Sequence, residues 1–294
     1  MEPSLSGKII VVTGVTAGIG LATAGQLLQR GAFVIGVGRS AERCEQTQSC
    51  LLSLAPGARA VCLTADLSEQ SAVRNVTEQI RQVARQVGNG GIDALVNNAG
   101  IFRYWLALTS EGFEMQWAVN HLAPFLLTHE LFPLLKASPL SRVVTVSSGS
   151  HYHTRLRWDD IQLRRRYNGL LAYKQTKLAN VLFTAEFNRR VDTRVRAFAA
   201  DPGLVNTDIG AKTDSILSRW IWNIRRKGGI SANESAKGIV FLVSEPCLQD
   251  SQEIYWLHGK PKSPNPYALD AEMARRLWEL SEKMCALTPG GFGS

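Results

Sequence analysis

The sequence predicts an α/β fold in which a doubly wound parallel sheet carries helices on both faces. Three observations lead there. Short β-branched runs alternate with helical patterns along nearly the whole chain, an order that pairs strands in parallel through right-handed crossovers. The first apolar run enters a glycine-rich turn that opens into a helical pattern. Polar motifs recur where a predicted strand ends or on the helix that follows, which is where such a sheet places its ligands.

In chain order, Ile9-Ile10-Val11-Val12 reads as a buried strand within 8–14, and LATAGQLLQRG continues as a helix to Arg30. AFVIGVGR at 32–39 is the second strand, followed by a helix through about Leu54. The third strand spans 58–67 and its helix runs to about Val87; the fourth, IDALVNNAG, spans 92–100. A long apolar helix over 111–136 precedes a fifth strand at 142–148, and the helix holding Tyr173 precedes a sixth at 195–203. A helix near 232–244 leads to a last strand at 253–259. At 294 residues and 45% hydrophobic, without repeat or linker, the chain is expected to form one domain over 1–294.

Two segments carry chemistry. In Thr13-Gly14-Val15-Thr16-Ala17-Gly18-Ile19-Gly20 the spacing is GxxxGxG. Gly14 permits the tight turn, Gly18 lets backbone approach a phosphate, and Gly20 lets helix pack on strand, while the helix N-terminus offers free amides to the anion. Tyr173 and Lys177 stand four residues apart in AYKQTKLANVLF, so both can project from one helix face. A nearby ammonium stabilises a phenolate and is expected to lower its pKa from the reference value of about 10 toward a useful range.

Together these segments resemble the short-chain dehydrogenase/reductase family, and the resemblance continues across nearly the whole chain. TGxxxGxG is Thr13 to Gly20, NNAG is Asn97 to Gly100, the helix asparagine is Asn120, and the serine is Ser148 at the end of VVTVSS. YxxxK is Tyr173 and Lys177, and the PG turn is Pro202-Gly203 with Thr207 following. VNHLAPFLLT, the long stretch between Ser148 and Tyr173, YKQTKLANVLF and RRLWELSEKM look most like the retinol-dehydrogenase-like branch. The resemblance implies a Rossmann-type sheet and a nicotinamide cofactor.

It also implies residue roles. Tyr173 serves as general acid when a carbonyl is reduced and as base when an alcohol is oxidised. Ser148, the second of the serine pair, hydrogen-bonds the substrate oxygen. Lys177 binds the nicotinamide ribose, and Asn120 holds a water between Lys177 and solvent, although a helix asparagine satisfying local backbone is a competing reading. Gly14, Thr16, Ala17, Gly18, Ile19 and Gly20 hold the pyrophosphate. Asp66, Leu67, Asn98, Ala99 and Gly100 line the adenosine side, and Pro202, Gly203, Val205 and Thr207 the nicotinamide end. Where the adenosine ribose lies, Gly38 is followed by Arg39, a cation with no acid beside it. A carboxylate there would repel a 2′-phosphate, so NADP(H) is preferred, with NAD(H) left open. Residues 209–229 match the segment that covers the substrate in this family.

The expected partner is a small alcohol, aldehyde or ketone, with Phe102, Trp105, Leu106, Leu217, Trp220 and Trp222 divided between core and a lipophilic pocket. Homodimers or homotetramers form in many relatives through the helices near 111–136 and 174–190, although apolar residues there equally suit a monomer core. Five scattered cysteines lack metal or disulfide spacing, so they read as free thiols. His121, His151 and His153 read as polar surface, with His151 and His153 bordering the substrate entrance, and no metal is assigned. The net charge of +8 is dispersed; its densest runs are Arg155, Arg157, Arg164-Arg165-Arg166 and Arg225-Arg226-Lys227. That favours a solvated face over nucleic-acid recognition, with the last run, beside Trp220 and Trp222, a weaker candidate for membrane-surface contact. No apolar run reaches membrane-span length and MEPSLSGK lacks a signal-peptide core, so the expected location is the cytoplasm. Two other readings accompany the enzyme: a catalytically idle nucleotide-binding adaptor of the same fold, and a sugar-nucleotide epimerase or dehydratase of the extended branch, whose GxxGxxG turn this chain lacks.

Overall fold

The computed structural model describes residues 3–88, 90–191, 194–204, 230–288 and 290. The expected covering segment at 209–229, together with Val205, Thr207, Leu217, Trp220, Trp222 and the Arg225–Lys227 run, lies outside the described residues.

Along β1 (Ile9–Thr13), Ile9 and Val11 join one apolar core and Ile10 and Val12 the other, because successive strand side chains point to opposite faces. The same alternation holds on the neighbouring strands, so the sheet is covered on both faces, as an all-parallel array requires. Its order is β3 (Arg59–Thr64), β2 (Phe33–Gly38), β1, β4 (Ala94–Asn97), β5 (Ser141–Val146), β6 (Val195–Asp201), β7 (Tyr255–Leu257) and β8 (Lys260–Pro261). All neighbours pair in parallel except β7 with β8. The chain leaves β1 in one direction and returns beside it as β4, which opens a crevice at their carboxyl ends.

On one face α1 (Gly18–Gln29) packs against α7 (Ala232–Ser244); α3 (Gln70–Val87), α5 (Ala123–Ala137) and α6 (Gly169–Arg190) cover the other. α2 (Ala41–Leu52) closes the β2–β3 edge. The long helix expected over 111–136 starts later. Glu114 accepts from the Trp117 amide at 2.7 Å and caps a short α4 (Met115–Trp117), and a π-turn over Ala118–Leu122 separates it from α5.

The expected elements end at residue 259, and two more follow: β8 and a C-terminal α8 (Ala271–Met284). Asp270 caps α8 by accepting from the amides of Glu272 and Met273. Ala274, Leu277, Trp278 and Ser281 form its buried stripe. Trp278 lies 5.0 Å from the Phe125 ring and stacks on Phe183 at 5.9 Å, with the Arg190 guanidinium above it at 4.9 Å. The chain's own last helix thus rests on α5 and α6.

Candidate active site

Gly14 and Gly18 have φ of +68° and +56°, the left-handed region that side chains rarely adopt. A Cβ on Gly14 would stand 2.9 Å from the Ala99 backbone, and one on Gly20 only 2.3 Å from the Gly14 carbonyl oxygen. The helix therefore begins hard against the turn. Its cap residue, Ala17, gives the first-turn amides no side-chain acceptor. Those N–H groups and the helix dipole fit a phosphate group. Thr16, Ala17 and Ile19 are all solvent-accessible beside them.

The turn is fastened to the fourth strand. The Thr13 hydroxyl accepts from the amides of Asn98 and Ala99, each at 3.0 Å, and Asn98 Nδ2 donates to the Thr13 carbonyl at 2.8 Å. Asn97 points into the core and donates to Thr128 Oγ1 at 3.1 Å. At the end of β2, Arg39 is exposed, and Ser40 caps α2 by accepting from the Arg43 amide. The Arg43 side chain reaches back to the Thr16 carbonyl at 3.4 Å. A second cation beside the glycine turn is absent from the sequence reading; its signal is its place in the first turn of α2, directly after the β2 end. Past β3, Asp66 accepts from the Ser68 amide and hydroxyl, which fixes that turn, and Leu67 is buried.

The other half of the crevice is built from side chains. Ser147 is fully buried and donates to the Lys177 carbonyl at 2.8 Å. Ser148, half-buried, caps the turn Gly149–His151, and its hydroxyl is near enough to the Tyr173 phenol to favour the phenolate. Of the two serines the first is a strut and the second faces the tyrosine. Lys177 is buried; its Nζ donates to the Val146 carbonyl at 2.9 Å and lies over the Tyr173 ring, 5.5 Å from the centroid. A Cβ at Gly100 would lie 3.5 Å from Asn120 Oδ1 and 3.7 Å from Lys177 Nζ, so three predicted site residues converge there. Asn120 sits in the π-turn and clamps residue 101: Oδ1 accepts from the Ile101 amide at 2.8 Å and Nδ2 donates to its carbonyl at 2.9 Å. This side chain braces a loop 19 residues away in sequence rather than its own helix. π-turns of this kind are frequent at functional sites.

The expected lowering of the Tyr173 pKa is not what this arrangement produces. Burial pushes it up to about 12, the Asp201 carboxylate adds to the rise, and the nearby Ser148 hydroxyl opposes it. Burial pushes Lys177 down to about 8, with Asp201 opposing. Asp201 is the residue the sequence reading passed over: it ends β6 immediately before Pro202-Gly203 and is buried. An acid beside a PG turn leaves no periodicity signal, so nothing in the sequence marks its burial.

The histidines correct the surface reading. His121 lies in the core, with Nε2 2.9 Å from Ser281 Oγ. His151 is wholly buried: Nδ1 meets the Ser148 carbonyl at 2.8 Å and Nε2 accepts from the Asn265 amide at 3.0 Å, which fixes the neutral Nδ1–H tautomer. Loop placement in sequence says little about burial when α8 and the 260s fold over the loop. His153 is exposed. Phe102 meets Tyr173 edge-on at 5.7 Å, whereas Trp105 is 73% exposed and Leu106 41%. Among the described residues all five cysteines are free, no cluster of His, Cys, Asp or Glu is arranged for a metal, and no helix is long and apolar enough to cross a membrane.

Comparison with known proteins agrees with this geometry. The profile of the family described as short chain dehydrogenase matches residues 8–216. Retinol dehydrogenase 14 of Mus musculus is 34% identical over 97% of this chain and 88% of its own length. Retinol dehydrogenase 13 of Homo sapiens is 34% identical over 97% of this chain and 87% of its own. An uncharacterized protein from Mycobacterium Paratuberculosis has a similar crystal structure, with a TM-score of 0.73 and 32% identity over 97% of this chain and 96% of that one. A short chain dehydrogenase from Burkholderia cenocepacia, solved in complex with NADP, gives a TM-score of 0.67 and 26% identity over 86% and 96%.

Proposed function

The chain belongs to the short-chain dehydrogenase family, and from that premise we propose that it is an NADP(H)-dependent oxidoreductase interconverting a lipophilic alcohol with its aldehyde or ketone. The observation that carries this reading is the Lys177 ammonium over the Tyr173 ring, with Asn120 and the Ser148 turn converging beside it, opposite a glycine turn whose first-turn amides have no side-chain acceptor.

The cofactor, when bound, exchanges a hydride with the carbonyl carbon, so that it is oxidised as the carbonyl is reduced. The chain's own residues do the rest. Tyr173 gives its proton to the carbonyl oxygen, which becomes the alcohol hydroxyl, and takes one back in the reverse direction. Ser148 orients that oxygen and donates to it as charge develops. Lys177, cationic beneath the ring, supports the phenolate left behind. Asn120 acts by bracing the backbone at residue 101 beside Lys177 and, in this reading, leaves its π-turn for a water leading to solvent.

Arg39 and Arg43 support NADP(H) over NAD(H), since two guanidinium groups and no carboxylate surround the place of the 2′-phosphate. Val205 and Thr207 complete the nicotinamide end in this reading, and residues 209–229 the cover over the substrate. Exposed apolar side chains at the mouth support a lipophilic substrate: Trp105 and Leu106 follow Phe102, and Leu170 opens α6 beside residues 103 and 104, where Gly169 is in tight contact. The names of the related retinol dehydrogenases point the same way. The test is turnover of NADPH against NADH over a panel of retinoid, aliphatic and aromatic carbonyls, beside Tyr173→Phe. Oxidation of NADPH that depends on the carbonyl and on Tyr173 is the expected result; equal turnover by the variant would falsify the assignment.

A further inference from the structure

We propose that Asp201 is a positioning residue of this site, acting through Tyr173 and Lys177, and that its buried charge sets the pH range over which the site exchanges a proton with its substrate. The inference rests on the function proposed above and names what governs its pH dependence.

The geometry comes first. Asp201 is 4% exposed, at the carboxyl end of β6. Its Oδ2 accepts from the Tyr255 hydroxyl at 2.5 Å and its Oδ1 from the Gly203 amide at 2.9 Å. Both oxygens accept and neither donates, the pattern of an ionised carboxylate. A Cβ added at Gly149 would lie 3.3 Å from Oδ2, so the carboxylate lies directly under the turn that Ser148 caps. The Tyr255 ring in turn lies 4.7 Å from the His151 ring, tilted by 55°, and His151 holds the Ser148 carbonyl. One carboxylate thus ties together the PG turn, strand β7 and the serine turn.

Among the described residues its side-chain donors are a neutral phenol and an amide, so its charge acts on the surroundings at low local dielectric. The titratable and charged groups that face it or the pair it acts on are Tyr173 and Lys177 from α6, His151 and Tyr152 from the serine turn, Tyr255 from β7, and His258 and Lys262 beyond it. The His258 amide donates to the Asp201 carbonyl, and the Lys262 ammonium lies over the Tyr152 ring. His151 is fixed in its neutral tautomer by two backbone partners. Asp201 therefore supplies the field felt by the pair.

A negative charge here disfavours the phenolate of Tyr173, adding to the effect of burial, and favours the ammonium of Lys177, opposing the larger effect of burial. Carbonyl reduction needs the phenol protonated at the outset, whereas alcohol oxidation needs it ionised. The same carboxylate keeps Lys177 cationic, which offsets its own opposition to the phenolate formed in the step.

Asp201→Asn keeps the shape and an acceptor for Gly203, and removes the charge. The first measurement is phenolate absorbance of the apoprotein against pH, taken as the difference from Tyr173→Phe, which isolates one tyrosine without turnover. Tyr173 is expected to ionise about one pH unit lower in Asp201→Asn. Tyr255→Phe removes a donor that disperses the charge and is expected to move the ionisation upward. The alkaline limb of carbonyl reduction, and the acid limb of alcohol oxidation, should follow each variant in the same direction. Unshifted Tyr173 ionisation in both variants, or shifts of like sign, would overturn the proposal, and Tyr255→Phe decides alone if Asp201→Asn does not fold. If wild type turns over no carbonyl, the proposed function fails while the apoprotein titration still decides what Asp201 does.

Discussion

The two sides of the crevice are made of different material. Around β1, β2 and β4 the site is backbone: left-handed glycines, uncapped amides and a threonine hydroxyl that fastens one turn to another. Around β5, β6 and α6 it is side chains, several of them buried and titratable: Ser148, Tyr173, Lys177 and Asp201. Backbone presents a fixed set of dipoles that needs little from its surroundings. Side chains acquire their chemistry from burial and from one another, so the second side depends on distant packing and the first does not.

The largest effect expected from this contrast is on chemistry alone. Tyr173→Phe should lower carbonyl turnover by about 10²–10⁴-fold and leave NADP(H) affinity nearly unchanged, as judged by steady-state kinetics beside cofactor titration. Trp278→Ala should reach the same side from outside. Removing a ring packed against Phe125 and Phe183 is expected to cost about 3–5 kcal/mol in denaturant unfolding, and size measurement by light scattering should show self-association once the α5 and α6 faces lose their cover.

The third test uses pH. Burial pushes His121 down to about 4 from an ordinary 6.5, with the neighbouring Asn180 side chain opposing. The unfolded chain therefore binds a proton that the folded chain refuses between those values, and stability must fall as pH falls through that window. The loss should amount to about 3 kcal/mol between pH 7 and 4, and His121→Gln should flatten that part of the stability curve. A curve of unchanged slope in the variant would remove His121 as its source.

On the backbone side the effects are smaller in stability and specific to binding. Gly20→Ala sets a methyl against the Gly14 carbonyl and should cost about 1–3 kcal/mol together with most cofactor affinity, measured by calorimetry. Replacing Arg39 and Arg43 together by Ala should weaken NADPH binding by about tenfold and leave NADH unaltered. An equal loss for both nucleotides would break the assignment of that corner to a 2′-phosphate.

The same contrast explains what was legible beforehand. The glycine turn, NNAG and the strand alternation can be read directly, because a left-handed φ or a two-sided apolar strand restricts residue type locally. Tyr173, Lys177, Ser148 and Asn120 are named by spacing and resemblance, and they do converge. Their electrostatics are not legible: spacing alone suggests an ammonium lowering a phenol, whereas burial and Asp201 act the other way. His121 and His151 read as surface because the chain that buries them comes more than a hundred residues later, at Ser281 and Asn265.

The sequence by itself determined the sheet, its glycine turn and which polar side chains belong together, since these follow from period, glycine position and motif spacing. Only the tertiary structure decided which serine faces the phenol, which acid lies beneath it and what covers the long helices. Solvation and charge–charge energies depend on distances between segments far apart in the chain, and no local pattern encodes those distances.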